Sequence, residues 1–224
     1  MKDDISVPFL DLITPHKEKE EELTKVFRGA ILTGRFIGGS MVQGFENAFA
    51  SFCETEHCIG VGSGTDALRF ALIAAGVKER DIVITVPNTF IATTEAITQA
   101  GALPRFVDIE ESSFNMDPER LREYIETQCT VDEEAGMPTN LGTGRRVAAV
   151  VPVHLYGHGA DMDAILDIAA KYNLIVVEDA CQAHGAKYFS QKKAFGNKLD
   201  QWAMLRHLAS ILEKIWAPAV RLVR

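Results

Sequence analysis

The chain has 224 residues, of which 47% are hydrophobic and 24% charged, with a formal net charge of −8. That is the composition of soluble globular material, enough for one large domain or two small ones. No apolar run is long enough to cross a membrane, and the opening MKDDISVPFL has no signal-peptide pattern, so a cytoplasmic location is expected.

In chain order, TPHKEKEEELTKVFRGAIL puts a cap residue, Thr14, before a proline and predicts a helix, and FENAFASFC predicts a second, shorter one. Apolar runs then alternate with helical segments: HCIGVG with TDALRFALIAAG, DIVITV with IATTEAITQAG, LPRFVDI with DPERLREYIE, VAAVVPV with DMDAILDIAAKYN, and finally LIVVEDA. The alternation predicts an α/β fold, a mainly parallel sheet with helices on both faces. VDEEAGMPTNLGTGRR, from Val131, reads as a polar surface loop. Cys53, Cys58, Cys129 and Cys181 lack metal-finger spacing and read as buried or free thiols in a reducing compartment. Near residue 190 the composition breaks. Residues 191–224 hold seven Lys/Arg against two Asp/Glu and both tryptophans, Trp202 and Trp216, while residues 1–190 carry 16 basic against 29 acidic side chains. The acidic part argues against a nucleic-acid partner.

Ligands of open α/β sheets sit beyond the carboxyl ends of the strands. After CIGV comes GSGTDAL. Gly62, Ser63 and Gly64 permit a tight turn, and Thr65 and Asp66 open a helix. Free amides with a hydroxyl beside them form a phosphate cup, although a plain glycine-rich turn is an equal reading. GVGSGTDA also loosely resembles a dinucleotide fingerprint, but the next strand ends in Val86-Pro87 without the acid that such a site needs. After DIVITV, Phe90 falls at the mouth of the sheet. There it either stacks on a flat cofactor or belongs to the core. After LIVV come Glu178 and Asp179, acids that are costly to bury unpaired. A protonated ring nitrogen is one suitable partner, since a nearby anion keeps it protonated; a structural cap or salt bridge is the alternative. Gln182, a turn further on, has the reach for a phenolic oxygen on the same ring. His154 and His158 have helical metal-pair spacing, but Tyr156, Gly157 and Gly159 make the stretch a loop and no metal is expected. Asp161 to Asp163 read as a helix cap. A phosphate cup, a stacking ring, a carboxylate for a pyridinium nitrogen and an amide for a phenolate together describe pyridoxal 5′-phosphate (PLP).

The stretches VPFLDL, FIGG with GFENAFASF, CIGVGSGTDALRFAL, VPNTFIATTEAI, FVDIEESSFNMDPERL, VVPVHLYGHGADMDAI and VVEDACQAHGA stand in one order over most of residues 7 to 189. In this they resemble the DegT/DnrJ/EryC1/StrS family of sugar aminotransferases. The resemblance implies the aspartate aminotransferase fold (fold type I), a homodimer, and transfer of an amino group, usually from glutamate, to a nucleotide-linked keto sugar. It places Gly64, Thr65 and Asp66 at the PLP phosphate, Phe90 on the ring face, Asp179 at the pyridine nitrogen as the catalytic carboxylate, and Gln182 at the ring's O3′. It assigns His184 no role.

The tail departs from the family. A lysine on an SFSFxPxKN-like stretch, about thirty residues past the aspartate in the family, is expected to link covalently to PLP, and no such stretch follows YFS here. Leu199, Trp202, Leu205, Leu208, Leu212 and Ile215 recur at helical spacing. The tail also admits a second reading. Joining the third base of each codon to the first two of the next allows AGSMGHAASFSFYPGKNLGACGEAGA from Lys198 to Arg224, with glycine forced at Trp202-Ala203 and at Trp216-Ala217. The missing lysine would then be spelled across Glu213 and Lys214. The expected organisation is an incomplete PLP-binding large domain over residues 1–190 and an out-of-frame tail over 191–224, with the family's C-terminal small domain absent and the chain inactive as written. Two alternatives remain: a non-catalytic, phosphate-binding or dimerising remnant, and a relative of the sugar dehydratases that replace the lysine with histidine. For the latter, His207 does not lie in a matching motif.

Overall fold

The computed structural model describes residues 11–131, 136–190, 202–204 and 217–218. They belong to two units that meet in sequence between Gly44 and Phe45.

In the first unit the helix expected from Thr14 forms as two pieces, α1 (Thr14–Glu18) and α2 (Glu20–Thr33). The cap residue is Ile13, not Thr14, which is already helical, and Asp11 Oδ1 accepts from the amides of both. Lys19 (φ −107, ψ 7) interrupts the helix. Three glutamates, Glu20 to Glu22, then fill the first turn of α2, where the helix dipole favours negative charge. Gly34, at φ 62, ends α2 in the left-handed conformation that costs glycine least. The next helix, α3 (Ser40–Phe52), starts earlier than the apolar spacing of FENAFASFC predicts.

The second unit is built on parallel strands. In chain order the elements are β1 (Gly60–Val61), α4 (Gly64–Ala74), β2 (Ile82–Thr85), α5 (Ile91–Gln99), β3 (Leu103–Phe106), α6 (Pro118–Gln128), β4 (Cys129–Val131), β5 (Pro138–Asn140), β6 (Arg145–Val150), α7 (Met162–Lys171), β7 (Ile175–Val176), β8 (Lys187–Phe189), β9 (Trp202–Met204) and β10 (Ala217–Pro218). Strand β2 lies between β3 and β6, and β7 pairs with the end of β6, all in parallel. The α/β alternation read from the sequence is therefore the architecture of this unit. Side chains cap two helices: Asp161, as its sequence position predicts, accepts from Ala164 N at the start of α7, and Asp117 accepts from Glu119 N at the start of α6.

Both faces of the sheet are covered. Residues of β2 alternate between two apolar clusters, as the period of a strand requires. Ile82 and Ile84 pack with Leu121 and Ile125 of α6 and Ile165 and Ile168 of α7. Val83 packs with Leu68 and Leu72 of α4 and Ala96 and Ile97 of α5. All four residues of β2 are fully buried, which explains why the strand reads as a continuous apolar run.

One expectation is corrected. The stretch from Val131 is not a simple loop, since β4 and β5 pair antiparallel and β5 pairs with the start of β6. The pairing is held from below by a polar side chain. Asn140 is buried, donates to Tyr124 Oη and to the Gln128 carbonyl, and accepts from Thr143. Strands of three residues with polar sequences and a proline carry no alternating signal to read.

Within the tail, β9 pairs antiparallel with β8, and β10 pairs antiparallel with β1, so Trp202–Met204 is a strand and not part of the helix that the apolar spacing of the tail predicts. The remainder of residues 191–224, including His207, Glu213 and Lys214, lies outside the described residues, as does MKDDISVPFL. Among the described residues no helix is long and apolar enough to cross a membrane.

Candidate active site

The extended chain continues past β7. Asp179 bridges Val153 in parallel; its amide donates to the Pro152 carbonyl, and its own carbonyl accepts from His154 N, each at 2.9 Å. Successive residues of an extended chain face opposite ways. Val177 accordingly sits in the α4–α5 cluster and Val176 in the α6–α7 cluster. The same alternation sends the two acids, Glu178 and Asp179, to different partners.

Asp179 is 6% exposed. Its Oδ2 accepts from Thr93 Oγ1 at 2.6 Å, and its Oδ1 from the amide of Cys181 at 3.2 Å. Thr93 lies in the first turn of α5, and its Oγ1 is 2.7 Å from Thr89 Oγ1. An ionised carboxylate only accepts, so the single hydroxyl proton of Thr93 goes to Asp179, and Thr89 must donate to Thr93. Phe90 caps the same helix, and its carbonyl accepts from Thr93 N. Phe90 is 60% exposed and belongs to neither apolar cluster.

Glu178 turns to His154, whose Nε2 lies 2.9 Å from Glu178 Oε2. His154 Nδ1 accepts from the amide of Ala160 at 3.1 Å. A backbone amide can only donate, so the imidazole proton sits on Nε2 and is given to Glu178. Of the two roles read for these acids, the structural one therefore describes Glu178. His158 is engaged elsewhere: Asn115 Nδ2 is 3.1 Å from its Nδ1 and donates to its carbonyl at 3.0 Å.

Gln182 is exposed. Its Oε1 accepts from the amide of Tyr156 at 2.8 Å, which aims the opposite, donating edge of the planar amide away from that loop. Tyr156 itself has φ 54, and Gly157 beside it has φ 84. His184 sets its ring edge-on to Phe49 at 6.2 Å between centroids.

Gly64, Thr65 and Asp66 open α4, with Ser63 as the cap. The Ser63 hydroxyl accepts from Asp66 N at 3.1 Å, and the Asp66 carboxylate pairs with Arg69 at 2.8 Å. The amides of Gly64 and Thr65 precede the first bond of the helix, from Ala67 N to the Ser63 carbonyl. Asp66 thus supports the turn with its own amide and carboxylate already engaged. A Cβ at Gly62 would stand 3.0 Å from Asp66 Oδ2, so a larger residue there would push that carboxylate aside by a few tenths of an ångström. Helices α4 and α5 pack in one cluster with Val177, and partly buried Val61 and Cys181 lie against it.

Sequence reading singled out Asp179, Phe90 and Gln182. It missed Thr89, Thr93 and the role of His154. The available signal for Thr93 was its place three residues after Phe90, one turn into a helix that starts at the end of a strand.

The profile of the DegT/DnrJ/EryC1/StrS aminotransferase family matches residues 17–201. The chain is 41% identical over 184 residues to the "Pleiotropic regulatory protein" of Geobacillus stearothermophilus, covering 82% of this chain and 45% of that protein. It is 38% identical over 193 residues to the dTDP-3-amino-3,4,6-trideoxy-alpha-D-glucose transaminase of Streptomyces venezuelae, covering 86% of this chain and 46% of that one. Among solved structures, Bacillus subtilis NtdA with bound cofactor PMP superposes with a TM-score of 0.68 at 33% identity, covering 81% of this chain and 38% of NtdA. The chain spans less than half the length of these relatives.

Proposed function

The chain belongs to the DegT/DnrJ/EryC1/StrS family of PLP-dependent aminotransferases with the fold type I architecture, and from that premise we propose that it carries half of the machinery for moving an amino group, drawn from glutamate, onto a keto group of a nucleotide-linked sugar. The transaminase among its relatives is named for an amino sugar linked to dTDP, which supports that substrate class. A homodimer in the cytoplasm is part of the same proposal.

One observation carries the reading. Asp179 is a buried carboxylate with both oxygens already held by the chain, one of them from the same helix turn that presents the uncovered ring of Phe90. The residue set fits a flat, anionic pyridine ligand: an anion for the ring nitrogen, an aromatic face, the first amides of α4 at Gly64 and Thr65, and the Gln182 amide. Bound there, PLP supplies an electron sink. Asp179 would keep the proton on the ring nitrogen, Phe90 would face the ring, Gly64 and Thr65 would receive the phosphate with Asp66 bracing their turn, and Gln182 would donate to O3′. Thr93 and the Cys181 amide hold Asp179 in place.

The covalent lysine is the part that this reading frame does not supply. We read the tail as out of frame, with the lysine spelled across Glu213 and Lys214, and the 224-residue product as inactive in amino transfer. Incubation with PLP alone, borohydride trapping and peptide mapping test the first point, and an assay with PLP, glutamate and a nucleotide-linked keto sugar tests turnover. No stable pyridoxyl-lysine and no turnover are expected from this chain, while the shifted frame yields both. A trapped lysine together with turnover from the chain as it stands contradicts the proposal, and Lys187 is the first residue to inspect.

A further inference from the structure

We propose that Thr93 is a positioning residue for the cofactor, fed by Thr89, and that these two hydroxyls fix the Asp179 carboxylate at the place where it meets the ring nitrogen. The inference rests on the reading of Asp179 given above.

The geometry runs one way. Asp179 accepts only, so Thr93 spends its proton on Oδ2 at 2.6 Å, and Thr89 spends its own on Thr93 at 2.7 Å. Thr93 is 1% exposed, so water does not compete for its hydroxyl. A hydrogen bond to a charged acceptor in such surroundings is among the stronger kinds. The Cys181 amide takes Oδ1, so the carboxylate has no free torsion left. Thr93 N also donates to the Phe90 carbonyl. A single helix turn therefore sets the stacking ring and the carboxylate relative to each other. A site held within about half an ångström by its own supporting bonds loses little freedom on binding.

The probe is pyridoxamine 5′-phosphate (PMP), whose amine cannot form imines with surface lysines. It is titrated against the 224-residue chain and its Thr93→Val, Thr93→Ser, Thr89→Val and Asp179→Ala variants, and the ultraviolet band of bound PMP is recorded with each. Thr93→Val, nearly isosteric, is expected to weaken binding about tenfold and to shift the band, which reports protonation of the ring nitrogen. Thr93→Ser is expected to restore both. Thr89→Val, at a half-buried position that tolerates change, is expected to weaken binding about two- to threefold and serves if Thr93→Val does not fold. Loss of binding in Asp179→Ala with unchanged binding in Thr93→Val and Thr89→Val overturns the role of the threonines alone. Unchanged binding in Asp179→Ala overturns the site itself.

Discussion

His154 Nε2 lies 2.9 Å from Glu178 Oε2, and both side chains are buried, the imidazole completely. The pair ties the loop after β6 to the chain after β7, one residue from the carboxylate at the centre of the site. Because Ala160 N occupies Nδ1, the imidazole donates and the carboxylate accepts, an arrangement that needs no charge on the ring.

Glu178→Ala strands the Nε2 proton in the interior. A buried donor without an acceptor costs about 1–3 kcal/mol. Urea unfolding is expected to show that loss as a lower midpoint at unchanged slope, and Glu178→Gln, which keeps an acceptor, is expected to lose less.

Phe90→Ala separates stability from binding. The ring is 60% exposed, so its removal is expected to change unfolding by no more than about 0.5 kcal/mol. A stacked ring is worth about 0.5–1.5 kcal/mol beyond its area. PMP affinity is therefore expected to fall about three- to tenfold, measured by titration beside thermal unfolding of the same preparation.

Gly157→Ala combines two penalties. The residue has φ 84, and a Cβ there would stand 3.3 Å from the Gln182 carbonyl oxygen. The left-handed conformation costs an alanine about 1–2 kcal/mol. The variant is expected to lose that much stability in urea unfolding and to weaken PMP binding, because the Tyr156–Gln182 bond moves with the turn.

Buried thiols set part of the alkaline limit. Burial raises Cys53 and Cys129 to about 11 from an ordinary 9.0. Above pH 9 the unfolded chain gives up these protons and the folded chain keeps them, so unfolding gains. Their contribution to stability is complete below about pH 9 and lost between about 9 and 11. The urea midpoint is expected to fall over that window. In the folded protein at pH 8, Cys181, the least buried of the four, is expected to react first with a disulfide reagent.

The layers of the fold were legible because their signals are local and redundant. The apolar run of β2, the cap at Asp161 and the alternation of strand and helix all read directly. The β4–β5 pairing was not, because three-residue strands with Pro138 and a buried Asn140 lack periodicity. In the site, Asp179, Phe90 and Gln182 stand at element ends, where position along the chain predicts position in space. Thr93 reaches Asp179 across 86 residues; its place one turn after Phe90 puts it near the site, but does not name its partner. Residue type alone did not separate Glu178 from Asp179; the family resemblance did, and the opposite facing of consecutive extended residues gives them different partners.

The central claim is that this chain holds the cofactor half of an aminotransferase around Asp179. PMP titration of the unmodified chain against Asp179→Ala, with circular dichroism to verify that both are folded, tests it most directly. The account predicts saturable binding to the unmodified chain and a loss of about tenfold or more in the variant. Equal affinity in two folded proteins, or no saturable binding to either, would contradict it.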